Sequence, residues 1–134
     1  MSLAQWKKKY YPIDAESVSQ ADAVEHSIRK WVGLYKTNLR KCGIKTRYGI
    51  TLEDRKEIFV VGIGTCALCH HYFSATEKEC ETCPLAIVRG NVSCDTLNSE
   101  IEAIPPYQEF MRSGNVRPML KWLRKAKQYE DKMK

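Results

Sequence analysis

The sequence predicts a single α+β domain in which terminal helices and a β-hairpin pack around a Cys-rich, zinc-stabilised loop region. Three observations predict this fold: helical spacing of apolar residues near both ends, a β-type run in the middle, and five of the six cysteines gathered between Cys66 and Cys94. The length of 134 residues fits one domain, and a hydrophobic content of 43% supports a small core.

The first half of the chain divides into an arm, a helical segment and a hairpin. Residues 1–13 are expected to form an arm that ends at a Tyr-Tyr-Pro sequence. Apolar residues recur every three or four positions over 17–43, which predicts helix, with a break at Gly33 and a stop at Gly43. Residues 45–63 predict a β-hairpin whose polar turn contains Asp54 and whose second strand leads to the first clustered cysteine.

The second half is predicted to contain the metal region and then more helix. Residues 64–104 are expected to form loops and short turns. Over 105–134 the pattern indicates helices, with Asn115 as a cap of the last one and an apolar stripe that includes Trp122. Trp31, Tyr35 and Trp122 are expected to serve the core.

Two C-x-x-C pairs carry the strongest chemical signal in the chain. Cys66-Ala67-Leu68-Cys69 and Cys80-Glu81-Thr82-Cys83 are separated by ten residues, and two such turns supply the four sulfurs of a tetrahedral zinc site. The spacing from Cys83 to Cys94 equals that from Cys69 to Cys80, so Cys94 is an alternative ligand in place of Cys80. Four thiolates predict a closed, structural zinc site, which supplies on the order of 10 kcal/mol of folding free energy in small domains.

Other cysteine chemistries fit the sequence less well. The N-terminus lacks the apolar run of a secretory signal, so a reducing cytoplasm is expected and a disulfide framework is disfavoured. The cysteine spacings differ from those of familiar iron–sulfur proteins, and the Cys66-to-His70 match to a haem-attachment sequence requires export. Adjacent His70 and His71 are interpreted as surface neighbours of the site, and Cys42 as a small hydrophobic residue.

Positive charge is concentrated outside the cysteine region. Residues 28–51 hold seven bases and no acid, residues 115–134 have a net charge of +5, and residues 52–104 have a net charge of −5. An anionic partner is therefore expected to meet the basic helices first. The candidate residues for binding nucleic acid or another partner are Arg29, Lys30, Lys36, Arg40, Lys41, Lys45, Arg47, Lys121, Arg124 and Lys125.

The cysteine motif resembles a recurring pattern in small bacteriophage proteins that are interpreted as zinc-binding. The resemblance rests on the C-x-L-C, C-x-x-C-P-L and Cys94 positions, on Pro106-Tyr107, and on the upstream stretch 28–43, and it covers roughly residues 20–110. It implies a phage-encoded protein with a Cys-rich metal site in the cytoplasm of the host. It does not indicate any particular activity, and the chain departs from the pattern at Cys42, where the pattern has His.

These observations favour a non-enzymatic zinc protein whose basic helices contact nucleic acid or a host protein, inhibiting or redirecting host machinery. A catalytic zinc keeps an open position, whereas four cysteines close the site. The alternative is a metal-dependent nucleic-acid enzyme, a nuclease or accessory factor, with ligands from Asp95, Glu100 and Glu102. No apolar run is long enough to cross a membrane, and the oligomeric state is left open.

Overall fold

The described part of the protein has the α+β architecture that the sequence predicts. A computed structural model describes residues 2–72, 83–90, 94 and 103–133. Its helices, in chain order, are α1 (Leu3–Tyr10), α2 (Ala23–Gly33), α3 (Lys36–Lys41), α4 (Ala67–Tyr72), α5 (Pro84–Val88), α6 (Pro106–Ser113) and α7 (Arg117–Lys132). Three short strands lie between α3 and α4 along the chain: β1 (Lys45–Arg47), β2 (Thr51–Glu53) and β3 (Ile58–Val60).

The predicted N-terminal arm is instead a helix that belongs to the core. Leu3, Trp6 and Tyr10 lie on one face of α1 and are buried. The side chain of Ser2 caps the helix by accepting the Gln5 N–H. The arm prediction was wrong because Lys7, Lys8 and Lys9 form the solvent side of an amphipathic helix that is only eight residues long.

Gly33 separates α2 from α3, as the sequence predicts, and it also permits close packing. A Cβ atom on Gly33 would lie 2.4 Å from Cγ of Tyr10, so α1 can approach α2 only where that atom is missing. The Gly33 carbonyl accepts a hydrogen bond of 2.7 Å from the indole Nε1 of Trp6. At the end of α3, Gly43 adopts a positive φ of 66° and stops the helix.

The β region is a three-stranded antiparallel sheet, in the order β1-β2-β3, rather than one hairpin. An extra turn at Tyr48 and Gly49, both with positive φ, divides the segment that was predicted to be the first strand. The polar turn at Asp54 lies where the sequence predicts it, and Leu52 pairs with Phe59 across it. Both of these residues are buried, so one face of the sheet joins the core.

Helices α6 and α7 lie in the predicted helical C-terminal segment. Gly114, with a φ of 75°, ends α6, and the side chain of Asn115 accepts the Arg117 N–H at the start of α7. Helix α7 packs its buried stripe against α2 and α5. The cysteine region was expected to be mostly loops and short turns; in its described residues two short helices, α4 and α5, form and bury Leu68 and Leu85.

Candidate metal centre and basic surface

The first C-x-x-C pair lies at the start of α4, directly after β3 and a short 3₁₀ turn. The Thr65 hydroxyl donates to the Val60 carbonyl at 2.6 Å and accepts the Gly62 N–H at 3.2 Å, which fixes the chain immediately before Cys66. Sγ of Cys66 accepts the Cys69 N–H at 3.4 Å. A C-x-x-C turn with this hydrogen bond holds its two sulfurs on one side, as a shared metal ion requires.

Cys66, Cys69 and Cys94 line one cavity of about 270 Å³ beside α2 and α7. Most of the wall is apolar and includes Trp31, Leu85 and other buried side chains. The cavity therefore brings the first C-x-x-C pair together with the cysteine that the sequence offered as an alternative ligand.

Tyr107 connects the backbone on both sides of this cavity. Its N–H donates to the Cys94 carbonyl at 3.1 Å, and its hydroxyl donates to the Val61 carbonyl at 2.6 Å. These two bonds hold Cys94 near the strand exit that leads to Cys66. Sequence reasoning assigned no role to Tyr107, and its only signal was the Pro-Tyr pair at the start of the predicted C-terminal helix.

A buried lysine faces the three cysteines. The Lys30 side chain is 1% exposed, and its ammonium donates to the Thr65 carbonyl at 2.9 Å. The pKa of Lys30 is lowered overall, because the effect of burial exceeds that of the nearby Cys66, Cys69 and Cys94 sulfurs, which raise it. The Ser27 hydroxyl, one turn earlier on α2, also lines the cavity, and it has no hydrogen-bond partner within the described part of the chain.

The environment of Cys66 favours its thiolate. A hydrogen bond from the Cys69 side chain lowers the pKa of the Cys66 thiol most, the Lys30 ammonium lowers it further, and burial opposes both effects, with a result of about 5. The thiolate is the form that binds metals. The arrangement can therefore offer a charged sulfur ligand at neutral pH.

The other predicted ligands are placed differently. Cys83 is buried and precedes α5, where its carbonyl accepts the Ile87 N–H. Cys80 lies outside the described residues, so the choice between Cys80 and Cys94 as the fourth ligand stays a prediction. Among residues 2–72, 83–90, 94 and 103–133, no group of three or more His, Cys, Asp or Glu side chains is arranged to hold a metal ion.

Neither of the two neighbouring histidines lines this cavity. His70 is exposed, and Nε2 of His71 is hydrogen-bonded to the Val18 carbonyl at 2.6 Å. Asp95, Glu100 and Glu102, which the enzyme alternative requires, lie outside the described residues. Cys42 is buried at the end of α3, in agreement with its interpretation as a small core residue.

The predicted basic residues are exposed with one exception. Lys30 is buried, so the structure removes it from any solvent-facing contact surface. Some of the others already have intramolecular partners: Arg29 donates to the Lys9 carbonyl, and Arg47 pairs with Glu53 at 3.0 Å. The exposed members of the predicted set are Arg29, Lys36, Arg40, Lys41, Lys45, Arg47, Lys121, Arg124 and Lys125.

The two basic segments, 28–51 and 115–134, meet where the turn between α6 and α7 lies beside the start of α3. Lys36 and Arg117 line one shallow groove there, and Lys36 and Arg112 line the adjoining one. On α7, the ammonium groups of Lys121 and Lys125 lie 5.1 and 4.6 Å from the centre of the Trp122 ring. Arg112 was missed from sequence because it lies outside both basic segments.

Comparisons with protein-family models, with curated proteins and with solved structures found no match. The resemblance to bacteriophage zinc proteins therefore stays a prediction. Within the part of the chain that the structure describes, no helix has the length and apolar character needed to cross a bilayer.

Proposed function

We propose that this chain is a non-enzymatic zinc-binding protein of the bacteriophage type, whose basic helices contact nucleic acid or a host protein in the host cytoplasm and so inhibit or redirect host machinery. The observation that carries the proposal is the single cavity lined by Cys66, Cys69 and Cys94. Zinc suits soft thiolate ligands, and four of them leave no open position for a substrate. The ion would be structural, held by Cys66, Cys69 and Cys83 with either Cys80 or Cys94 as the fourth ligand.

We infer a structural role for the ion because its candidate ligands come from different parts of the chain. Cys66 immediately precedes α4, Cys69 lies within it, and Cys94 is tied through Tyr107 to the start of α6. An ion that is bound to all three sulfurs would cross-link segments far apart in the chain, and its binding free energy would be folding free energy. The basic helices α3 and α7 then display their charges from a rigid framework.

Elemental analysis of the purified protein tests the metal site. We expect about one zinc per chain, lost in Cys66→Ser together with a cooperative fall in thermal stability, because the thiolate is both ligand and cross-link. Cys42→Ala is the matched control, since Cys42 is a buried cysteine outside the cavity, and it is expected to retain zinc. Full zinc content in Cys66→Ser would refute the site.

The fourth ligand is found by comparing two further variants. If Cys80 is a ligand, Cys80→Ser loses zinc; if Cys94 is one, Cys94→Ser does. Because three sulfurs line the described cavity, we expect Cys94→Ser to lower zinc affinity. Unchanged zinc affinity in that variant would exclude Cys94 and leave the two C-x-x-C pairs as the ligand set.

Salt-dependent binding to short single- and double-stranded DNA and RNA tests the partner class. Contacts between lysine or arginine side chains and phosphates give a linear fall of log affinity with log salt, with a slope of about 0.7 to 0.9 per contact. We expect Lys36→Ala and Arg117→Ala to reduce that slope, because they line the groove where the basic segments meet. Lys8→Ala, an exposed lysine on α1, is the control. No binding at low salt would exclude nucleic acid and favour a protein partner.

A further inference from the structure

We propose that Lys30 is the built-in cationic partner of the thiolate site, fixing the backbone before its first ligand and neutralising the negative charge of the metal centre. This inference rests on the proposed zinc site and adds a residue that supports the ligands. It also gives Lys30 a different role from the surface contact that the sequence predicts.

The first argument is that a buried ammonium requires compensation. Lys30 is 1% exposed, and moving an ammonium from water into a protein interior costs several kcal/mol unless it is paired and hydrogen-bonded. Its hydrogen bond to the Thr65 carbonyl satisfies one of three N–H donors. The cavity wall that it faces carries the sulfurs of Cys66, Cys69 and Cys94. Within the described part of the chain, these sulfurs, as thiolates, are the charged groups that favour the ammonium form of Lys30.

The second argument is the charge of the centre itself. Three or four thiolates carry more negative charge than one divalent zinc ion neutralises, so the occupied site is anionic. An anion in an apolar cavity is as costly as a buried cation, and the two lower each other's cost when they are adjacent. Lys30 supplies that cation from α2, an element that contributes no sulfur to the site.

The third argument is mechanical. Thr65 immediately precedes Cys66, so the bond from Lys30 to its carbonyl ties α2 to the residue that positions the first ligand. The Ser27 hydroxyl, buried one turn away on the same helix and without a partner in the described residues, offers a second donor to the cavity. Removing a group that hydrogen-bonds to a metal ligand or orients it typically lowers metal affinity by about 10- to 100-fold.

Zinc affinity, measured by competition with a chromophoric chelator, tests the role of Lys30. We expect Lys30→Met to bind zinc about 10- to 100-fold more weakly than the unaltered chain, and Lys30→Gln to be weakened as well because it keeps a donor but loses the charge. Lys41→Met is the matched control, since it removes the same charge from an exposed site on α3 and is expected to leave affinity unchanged. Circular dichroism of the zinc-free proteins checks that the variants fold alike.

A spectroscopic probe separates charge compensation from packing. With cobalt(II) in place of zinc, loss of the ammonium should move the thiolate-to-cobalt charge-transfer band to longer wavelength, because a thiolate without a neighbouring cation gives up electron density more easily. A role in packing alone would leave the band where it is. Equal zinc affinity in the unaltered chain, Lys30→Met and Lys30→Gln would overturn the role of Lys30 alone, whereas no zinc binding by the unaltered chain would overturn the proposed function with it.

Discussion

Two parts of one buried core, an aromatic interior and a thiol-lined interior, meet at helix α2 and are built differently. On one side Trp6 packs edge-on against Phe59 at a ring-centre distance of 5.2 Å, Tyr11 packs against the same ring at 4.8 Å, and the indole N–H of Trp6 is hydrogen-bonded to Gly33. On the other side the thiol-lined cavity of about 270 Å³ contains a lysine ammonium and the Ser27 hydroxyl. The first interior is filled by its own side chains, whereas the second has room and polar groups.

This difference separates two sources of stability. Burial of apolar area and close packing of the aromatic rings account for the stability of the aromatic side. Side chains that line a cavity lose dispersion contacts, and buried polar donors need hydrogen-bond partners. Packing alone therefore does not explain the stability of the thiol-lined side. We expect the aromatic interior to be stable by itself and the thiol-lined interior to depend on its ion.

Removal of the ion should therefore give the largest effect, confined to one side. A structural zinc contributes on the order of 10 kcal/mol in small domains. After treatment with a chelator, we expect amide hydrogen exchange to speed up strongly in α4 and α5, while α1 and the Trp6 side of α2 keep most of their protection.

Two outcomes of the same exchange experiment would contradict this expectation. Equal loss of protection in α1 and α4 would mean that the two interiors form one cooperative unit, and the comparison would fail. Unchanged protection in α4 and α5 after the chelator would mean that packing of Leu68 and Leu85 is enough to hold them. Restored protection on adding zinc back would exclude damage by the chelator.

The second-largest effect is expected from the aromatic side. Trp6 is fully buried, and replacing a buried Trp with Ala costs about 3 to 5 kcal/mol because a large cavity is left. We expect Trp6→Ala to lower the free energy of unfolding by this amount in urea titrations, with zinc affinity of the folded protein unchanged. Weaker zinc binding in Trp6→Ala under folding conditions would show that the two interiors are coupled through α2.

The sequence predicts the elements whose pattern is long and amphipathic, and it fails where a short segment depends on distant contacts. The stripe on α7 and the break at Gly33 follow from spacing and from a single glycine. Helix α1 does not follow from local sequence, because the N–H of its first residue, Leu3, is capped by the carboxylate of Asp54, which is 51 residues away. Tertiary docking, rather than local propensity, stabilises an eight-residue helix of this kind.

The candidate site divides in the same way. Motif spacing identifies Cys66, Cys69, Cys80 and Cys83 as candidates, because C-x-x-C is a local geometric unit, and a repeated spacing adds Cys94 as an alternative. The spacing does not identify Lys30, which looks like one more base in a basic helix until its burial is known. The available sequence signal for a buried Lys30 was its position on the apolar face of α2, three residues after Ser27.

A smaller effect is expected at the contact between α1 and α2. Adding a methyl group at Gly33 forces the Tyr10 ring to move, because the new Cβ would lie 2.4 Å from its Cγ. Overpacking of this kind costs about 1 to 3 kcal/mol. We expect Gly33→Ala to lower the free energy of unfolding accordingly, with Gly64→Ala as the control, since a Cβ at Gly64 meets nothing within 4 Å. Equal stability of the two variants would show that Tyr10 adjusts without cost.

The smallest expected effect concerns the cap that joins α1 to the sheet. Hydrogen bonds from the Leu3, Lys56 and Glu57 backbone N–H groups hold the pKa of Asp54 below its usual value of 3.8. A carboxyl group with a lowered pKa in the folded state stabilises the protein above its unfolded pKa, and this contribution disappears as the pH falls through the folded pKa.

The free energy of unfolding of the unaltered chain and of Asp54→Asn, followed between pH 6 and pH 2, measures that contribution. We expect a modest difference above about pH 4 that closes on further acidification, as the carboxylate is protonated in both states. The measurement belongs in metal-free protein, because acid also protonates thiolate ligands. Asp54 lies on the α1 side of the molecule. If the difference were constant with pH, the charge of Asp54 would not help to stabilise the aromatic interior. Packing alone would then explain why that interior does not need the ion.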